Sequence, residues 1–96
     1  MSIRKISILG STGSIGLNAL KVVENLSGQF EVAYLSCRRN SGELLRQVKK
    51  FRPRAVAILD RDSGIQIQPA LAELGVELLS GREGLLEIAG RNDVNL

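Results

Sequence analysis

Two rhythms alternate along this chain. Short apolar runs of the kind a buried strand needs stand at Ile3 to Leu9, Phe30 to Leu35, Ala55 to Leu59 and Val76 to Leu79. Between them, apolar residues return three or four apart, which marks one face of a helix. From Ser14 to Leu26 that face is Ile15, Ala19, Leu20, Val23 and Leu26, with Gly28 suited to end the helix in a left-handed turn. From Gly42 to Phe51 it is Leu44, Leu45, Val48 and Phe51, with Ser41 as the expected cap and Pro53 closing the segment. Gly64 and Pro69 break the next pattern, so a loose turn from Asp62 and a short helix from Pro69 to Leu74 are predicted there. Gly81 to Ala89 is the last helix, carrying Leu85, Leu86 and Ile88.

The order β-α-β-α-β-α-β-α predicts a parallel sheet with helices on both faces. The fold class expected is α/β, a Rossmann-like doubly wound parallel sheet of about four strands with alternating helices. Asp93 to Leu96 reads as the approach to a further strand, so the sheet is expected to be truncated, the amino-terminal part of a longer enzyme.

Length and composition narrow the picture. Ninety-six residues suffice for one domain, residues 1–96, with an aliphatic core because aromatics are scarce. The charge of +3 is spread in short groups without aromatic company, which argues against nucleic acid. No apolar run is long enough to span a membrane, and the first begins too close to Met1 to be a signal peptide. A single cysteine, Cys37, fits a reducing, cytoplasmic setting. Histidine is absent, and no pair among Asp60, Asp62, Glu73 and Glu77 has a spacing that argues for a metal or for acid–base work, so no catalytic and no metal residue is assigned.

The chemistry concentrates in Gly10-Ser11-Thr12-Gly13-Ser14-Ile15-Gly16, between the first strand and the first helix. In that context glycines have separate tasks. Gly10 permits a tight turn, Gly13 lets the backbone approach a pyrophosphate, and Gly16 lets the helix pack against the strand. The amides of Gly13, Ser14 and Ile15 then point at the phosphate from the positive end of the helix dipole, and Ser11, Thr12 and Ser14 add hydroxyl donors. No lysine follows the glycines, so this is not an ATP-binding Walker loop. At the tip of the second strand, where an NAD site places an acid, the chain has Ser36-Cys37-Arg38-Arg39-Asn40. A carboxylate would repel a 2′-phosphate, whereas arginine grips it with paired donors. The cofactor expected is therefore NADPH. Cys37 beside these arginines reads as a small apolar residue at a strand end rather than a reactive thiol.

The stretch Ile6 to Gly16 closely resembles the start of 1-deoxy-D-xylulose 5-phosphate reductoisomerases, as do Phe30 through Asn40 to Phe51 and Pro53, and Leu79-Ser80-Gly81. The resemblance spans essentially the whole chain. It implies NADPH-dependent conversion of 1-deoxy-D-xylulose 5-phosphate to 2-C-methyl-D-erythritol 4-phosphate in isoprenoid biosynthesis, by the methylerythritol phosphate pathway, with Mg²⁺ or Mn²⁺ in the full-length enzyme and a homodimeric state. It implies that Thr12, Gly13, Ser14 and Ile15 hold the cofactor's pyrophosphate region and that positions 38 to 40 hold the adenosine end. There the family often has Gly-Lys-Asn, so Arg39 keeps the charge, Asn40 is unchanged and Arg38 departs from the pattern. The family's metal-binding acids, substrate-phosphate site and active-site loop lie further along the chain, so the 96 residues alone are expected to be inactive. Two other readings fit the glycine loop: a stand-alone NAD(P)-binding sensor module, or the cofactor domain of another dehydrogenase, of the semialdehyde or homoserine type.

Overall fold

In the computed structural model, which describes residues 3–26 and 28–91, eight elements follow one another as strand and helix: β1 (Arg4–Ile8), α1 (Ser14–Asn25), β2 (Phe30–Cys37), α2 (Ser41–Phe51), β3 (Ala55–Ile58), α3 (Arg61–Leu74), β4 (Glu77–Ser80) and α4 (Gly81–Ala89). All strand pairs are parallel and the spatial order is β1-β2-β3-β4. Stepping in one direction with crossovers of one hand puts the connecting helices on one face. There Leu20 and Val23 of α1, Leu44 and Val48 of α2, and Ile67 and Leu71 of α3 pack on Ile8, Val32, Leu35, Val56 and Ile58. The other face carries α4, whose Ile88 packs with Ala33, Tyr34, Ala55, Ala57 and Leu79. The sheet therefore has helices on both faces, as the alternating order predicts. The segment Asp93 to Leu96, expected to approach a further strand, lies outside the described residues.

β3 shows how the pattern chooses faces. Val56 and Ile58 turn to the three-helix side, and Ala55 and Ala57 to the α4 side. In β2 the alternation slips. Ile6 pairs with Val32 but Ser7 with Tyr34, so a bulge leaves Ala33 without a β1 partner. Val32 and Leu35, three apart, then share the large core.

Several boundaries differ from the sequence reading. The largest difference is α3, a single helix of fourteen residues that runs through both Gly64 and Pro69. Asp60 caps it, its carboxylate accepting from the Ser63 amide at 3.1 Å. Pro69 is exposed, so the backbone acceptor it leaves without a donor can turn to water. Gly64 is no breaker but a contact point. A Cβ there would lie 2.8 Å from Ile58 Cγ2. Burial of Ile67 and Leu71 offsets the poor helix propensity of both residues. α2 begins one residue earlier than expected and is capped by Asn40, whose Oδ1 accepts from the Glu43 amide at 3.2 Å. It ends on Arg52 in the left-handed conformation (φ 52). β2 continues past Leu35 through Cys37, which is buried in the core. Ile15 belongs to no inner face. It is 85% exposed, because it lies about 100° around the helix from Gly16, and Gly16, Leu20 and Val23 form the buried face. Leu86 is likewise turned to solvent.

Candidate functional site

The carboxyl ends of β1, β2 and β3 meet at one edge, the place where open parallel sheets bind ligands. Gly10 leaves β1 with φ 69, a conformation that favours glycine. The chain turns tightly, the Gly13 amide donating to Gly10 O at 3.0 Å, and enters α1. Gly16 permits this. A Cβ there would lie 2.3 Å from Gly10 O and 2.6 Å from Ser11 Cα, so the helix rests on the turn itself rather than on the strand.

Gly13 differs from Gly16. Its backbone is extended (φ −80, ψ 170), as an N-cap residue's is, and a Cβ there would make only an ordinary 3.4 Å contact with Gly10 O. Nothing in the protein demands glycine at this position. No side chain caps α1 and no acid stands in its first turn, whereas α2 and α3 are capped by Asn40 and Asp60. The start of α1 thus presents amides and a dipole to whatever approaches, with Gly13, Ser14 and Ile15 exposed around it and Thr12 half-buried.

Ser11, one of the three hydroxyls expected to face a ligand, is fully buried, and its Oγ has no hydrogen-bond partner among the described residues. The residue instead ties the loop down. Its amide donates to Ser36 O at 2.8 Å, and its carbonyl accepts from Gln47 Nε2 at 3.0 Å. Ser36 Oγ also accepts from the Gly10 amide at 3.1 Å. Ser36 and Gln47 were not assigned to the site from sequence. The available signal was a lone polar residue, Gln47, on the inner face of α2.

Beside the glycine loop opens a pocket of about 240 Å³, lined by Leu9, Gly10, Ser36, Cys37, Arg38, Leu59 and Leu85. Its wall is mostly apolar, which suits a flat ring. Leu9, Leu59 and Leu85 come from the ends of β1 and β3 and from α4, and they escaped the sequence reading because no local motif marks them. Arg38, which lines the pocket, is exposed, as are Arg39 and Asn40 next to it in the chain. The Asn40 Oδ1 is engaged in capping α2. Arg38 O accepts from the Asp60 amide at 2.8 Å, which brings the tips of β2 and β3 together. The Asp60 carboxyl is held below its usual range by hydrogen bonds from Ser63, with a smaller contribution from the charge of Arg39. Burial pushes the Cys37 thiol up to about 11, and its Sγ lies 3.8 Å from Asn40 O, to which it donates. A thiol so placed is a poor nucleophile. The ten residues singled out from sequence thus fall into a loop with Gly10, Gly13, Ser14 and Ile15 exposed and Thr12 half-buried, and an exposed basic group, Arg38 to Asn40, at the tip of β2. Ser11 and Gly16 support the loop from behind.

A sequence model of the 1-deoxy-D-xylulose 5-phosphate reductoisomerase family matches residues 6–96. The reductoisomerase of Chloroherpeton thalassium is 42% identical over 92 residues, which cover 96% of this chain and 24% of that protein. Among solved structures, a DOX-P reductoisomerase in complex with NADPH, fosmidomycin and magnesium superposes with a TM-score of 0.90 at 29% identity, over 97% of this chain and 23% of the other. The Zymomonas mobilis reductoisomerase in complex with NADPH gives 0.86 at 31% identity, over 92% and 23%. The chain spans about a quarter of the length of these relatives. With the family's model matched along nearly its whole length, the chain belongs to the 1-deoxy-D-xylulose 5-phosphate reductoisomerase family.

Proposed function

We propose that this chain is the NADPH-binding part of a 1-deoxy-D-xylulose 5-phosphate reductoisomerase. One observation carries the reading: α1 begins on an extended Gly13 with no side-chain cap and no first-turn acid, next to an apolar pocket with an arginine rim. Each half of the cofactor's adenosine diphosphate then has a matching surface. The amides after Gly13 take the pyrophosphate, helped by the hydroxyls of Thr12 and Ser14. The pocket between Leu9, Leu59 and Leu85 takes the adenine ring. Arg38 and Arg39 take the 2′-phosphate, with Asn40 at the same rim. The relatives solved with NADPH support the assignment.

Bound NADPH would supply a hydride for reducing the rearranged sugar phosphate. This chain's residues would bind the cofactor, fix its adenosine half and leave the nicotinamide to project beyond the described strands. Among the described residues no group of three or more His, Cys, Asp or Glu side chains could hold a metal ion. We therefore assign the Mg²⁺ or Mn²⁺ site, the substrate site and the homodimer interface of the whole protein chiefly to the part of the family's length that this chain does not span. The test is calorimetric titration of the chain with NADPH and with NADH. Preference for NADPH is expected, and equal affinity for the two would overturn the assignment of the arginine rim.

A further inference from the structure

Gln47 is fully buried on the apolar face of α2, among Leu44, Val48 and the half-buried Phe51. An amide buried there is costly unless its hydrogen bonds are made. Its Nε2 makes two, to Ser11 O at 3.0 Å and to Glu43 Oε2 at 2.9 Å. Glu43 is itself held by Arg46, whose Nε and Nη2 donate to its two oxygens at 3.0 and 2.6 Å. The carboxylate is kept ionised, first by Arg46 and then by Gln47, so the amide donates to a charged acceptor as well as to a carbonyl. A line of contacts therefore runs from the surface pair Arg46–Glu43 through a buried amide to the glycine loop.

That line ends on one peptide. Because the Ser11–Thr12 peptide is planar and trans, turning its carbonyl toward α2 turns the Thr12 N–H to the opposite side. The Ser11 amide is fixed separately by Ser36 O. With both sides of Ser11 held, the turn from Gly10 to Gly13 has one orientation, and so have the amides that open α1. We propose that Gln47 is a positioning residue for cofactor binding: it fixes the Ser11–Thr12 peptide and through it presents the glycine loop to the pyrophosphate. The proposal rests on the reading of that loop as a pyrophosphate site. It gives α2 a task besides packing, and it links the arginine rim at the start of this helix to the phosphate loop through one body.

The experiment uses the full chain and three variants. Gln47→Leu and Gln47→Met remove the donor while keeping bulk. Val48→Ala, one residue on and equally buried, loosens the same helix without touching the loop. Thermal unfolding, NADPH affinity well below the unfolding temperature, and amide resonances of Gly10 to Ile15 are measured for each. The folded Gln47 variant is expected to bind NADPH about tenfold more weakly, the scale of one lost hydrogen bond, with shifted resonances at Thr12 to Ser14. Val48→Ala should lower the unfolding temperature and leave affinity unchanged. Wild-type affinity in either folded Gln47 variant overturns the proposal, as does an equal loss of affinity in Val48→Ala. If the wild-type chain itself ignores NADPH, the pyrophosphate reading fails instead. The resonances then decide the positioning claim alone, and unmoved loop amides would refute it.

Discussion

Substituting Gly13→Asp should make the fold more stable and the site useless, a combination that few residues can give. Gly13 has the extended backbone of an N-cap residue, and its Cβ position is free of clashes. A carboxylate there can accept from the first-turn amides of α1, as the Asp60 carboxylate and the Asn40 amide oxygen do for their helices. Replacing glycine by a capping side chain contributes a few tenths of a kcal/mol, and a negative charge on the positive end of the helix dipole about 0.3–1 kcal/mol. For a domain of this size a gain of about 0.5–1 kcal/mol raises the unfolding temperature by roughly 2–8 °C. The same carboxylate would occupy the place assigned to the pyrophosphate. Two like charges about 4 Å apart at an effective dielectric constant near 20 repel by about 4 kcal/mol, so affinity should fall by at least about a hundredfold even after solvent relieves part of this. Thermal unfolding by circular dichroism and titration with NADPH read the two effects. A stabilised variant that binds NADPH normally would show that the start of α1 is not the anion site. A destabilised one would show that the cap geometry has been misjudged.

The neighbouring Gly16→Ala should do the reverse, lowering the unfolding temperature despite alanine's better helix propensity, because a Cβ 2.3 Å from Gly10 O forces helix and turn apart at a cost of about 1–3 kcal/mol; an unchanged midpoint would refute that packing. Arg38→Ala with Arg39→Ala should erase the preference for NADPH over NADH while sparing NADH affinity, and a retained preference would place the 2′-phosphate elsewhere. Cys37 gives a pH test. Its thiol is raised from 9.0 to about 11, so the folded chain holds the proton longer than the unfolded one. The stability it contributes is complete below pH 9 and lost as pH rises toward 11. The wild type should therefore lose more stability over that window than Cys37→Ala, and parallel curves would refute the burial argument. The chain alone, given 1-deoxy-D-xylulose 5-phosphate and Mn²⁺, should oxidise no NADPH above the no-protein rate; substrate-dependent oxidation would relocate the catalytic machinery.

What could be read from the sequence depended on how local its cause was. The eight elements, their order and the task of Gly10 follow from neighbours in the chain, because strand rhythm, helix rhythm and a positive φ are short-range properties. α3 misled because Gly64 and Pro69 carry strong local penalties that a tertiary contact with Ile58 and an exposed proline override. Ile15 misled because apolar spacing left the centre of the helix face open, and the buried face runs through Gly16, Leu20 and Val23. In the site, the glycine loop and the arginines were legible as motifs. Leu9, Leu59 and Leu85 were not, since only the convergence of three strand ends and α4 makes a pocket of them. The burial of Ser11 was not legible either, since Ser36 and Gln47, which hold its backbone, arrive from far along the chain.

The strand order has a bearing on assembly during synthesis. Because spatial and chain order coincide, every strand finds its partner in the one made just before it: Arg4 meets Phe30, Tyr34 meets Ala55, and Ala55 meets Glu77. Among the described strands no pairing must wait for a distant segment, so their loop closures stay short and they can form as a growing front from β1. Ser36 and Gln47, which tie down the glycine loop, both precede β3. Everything needed to shape that loop has therefore emerged by the end of α2, and the later elements add the far wall of the pocket and the cover on the sheet's second face.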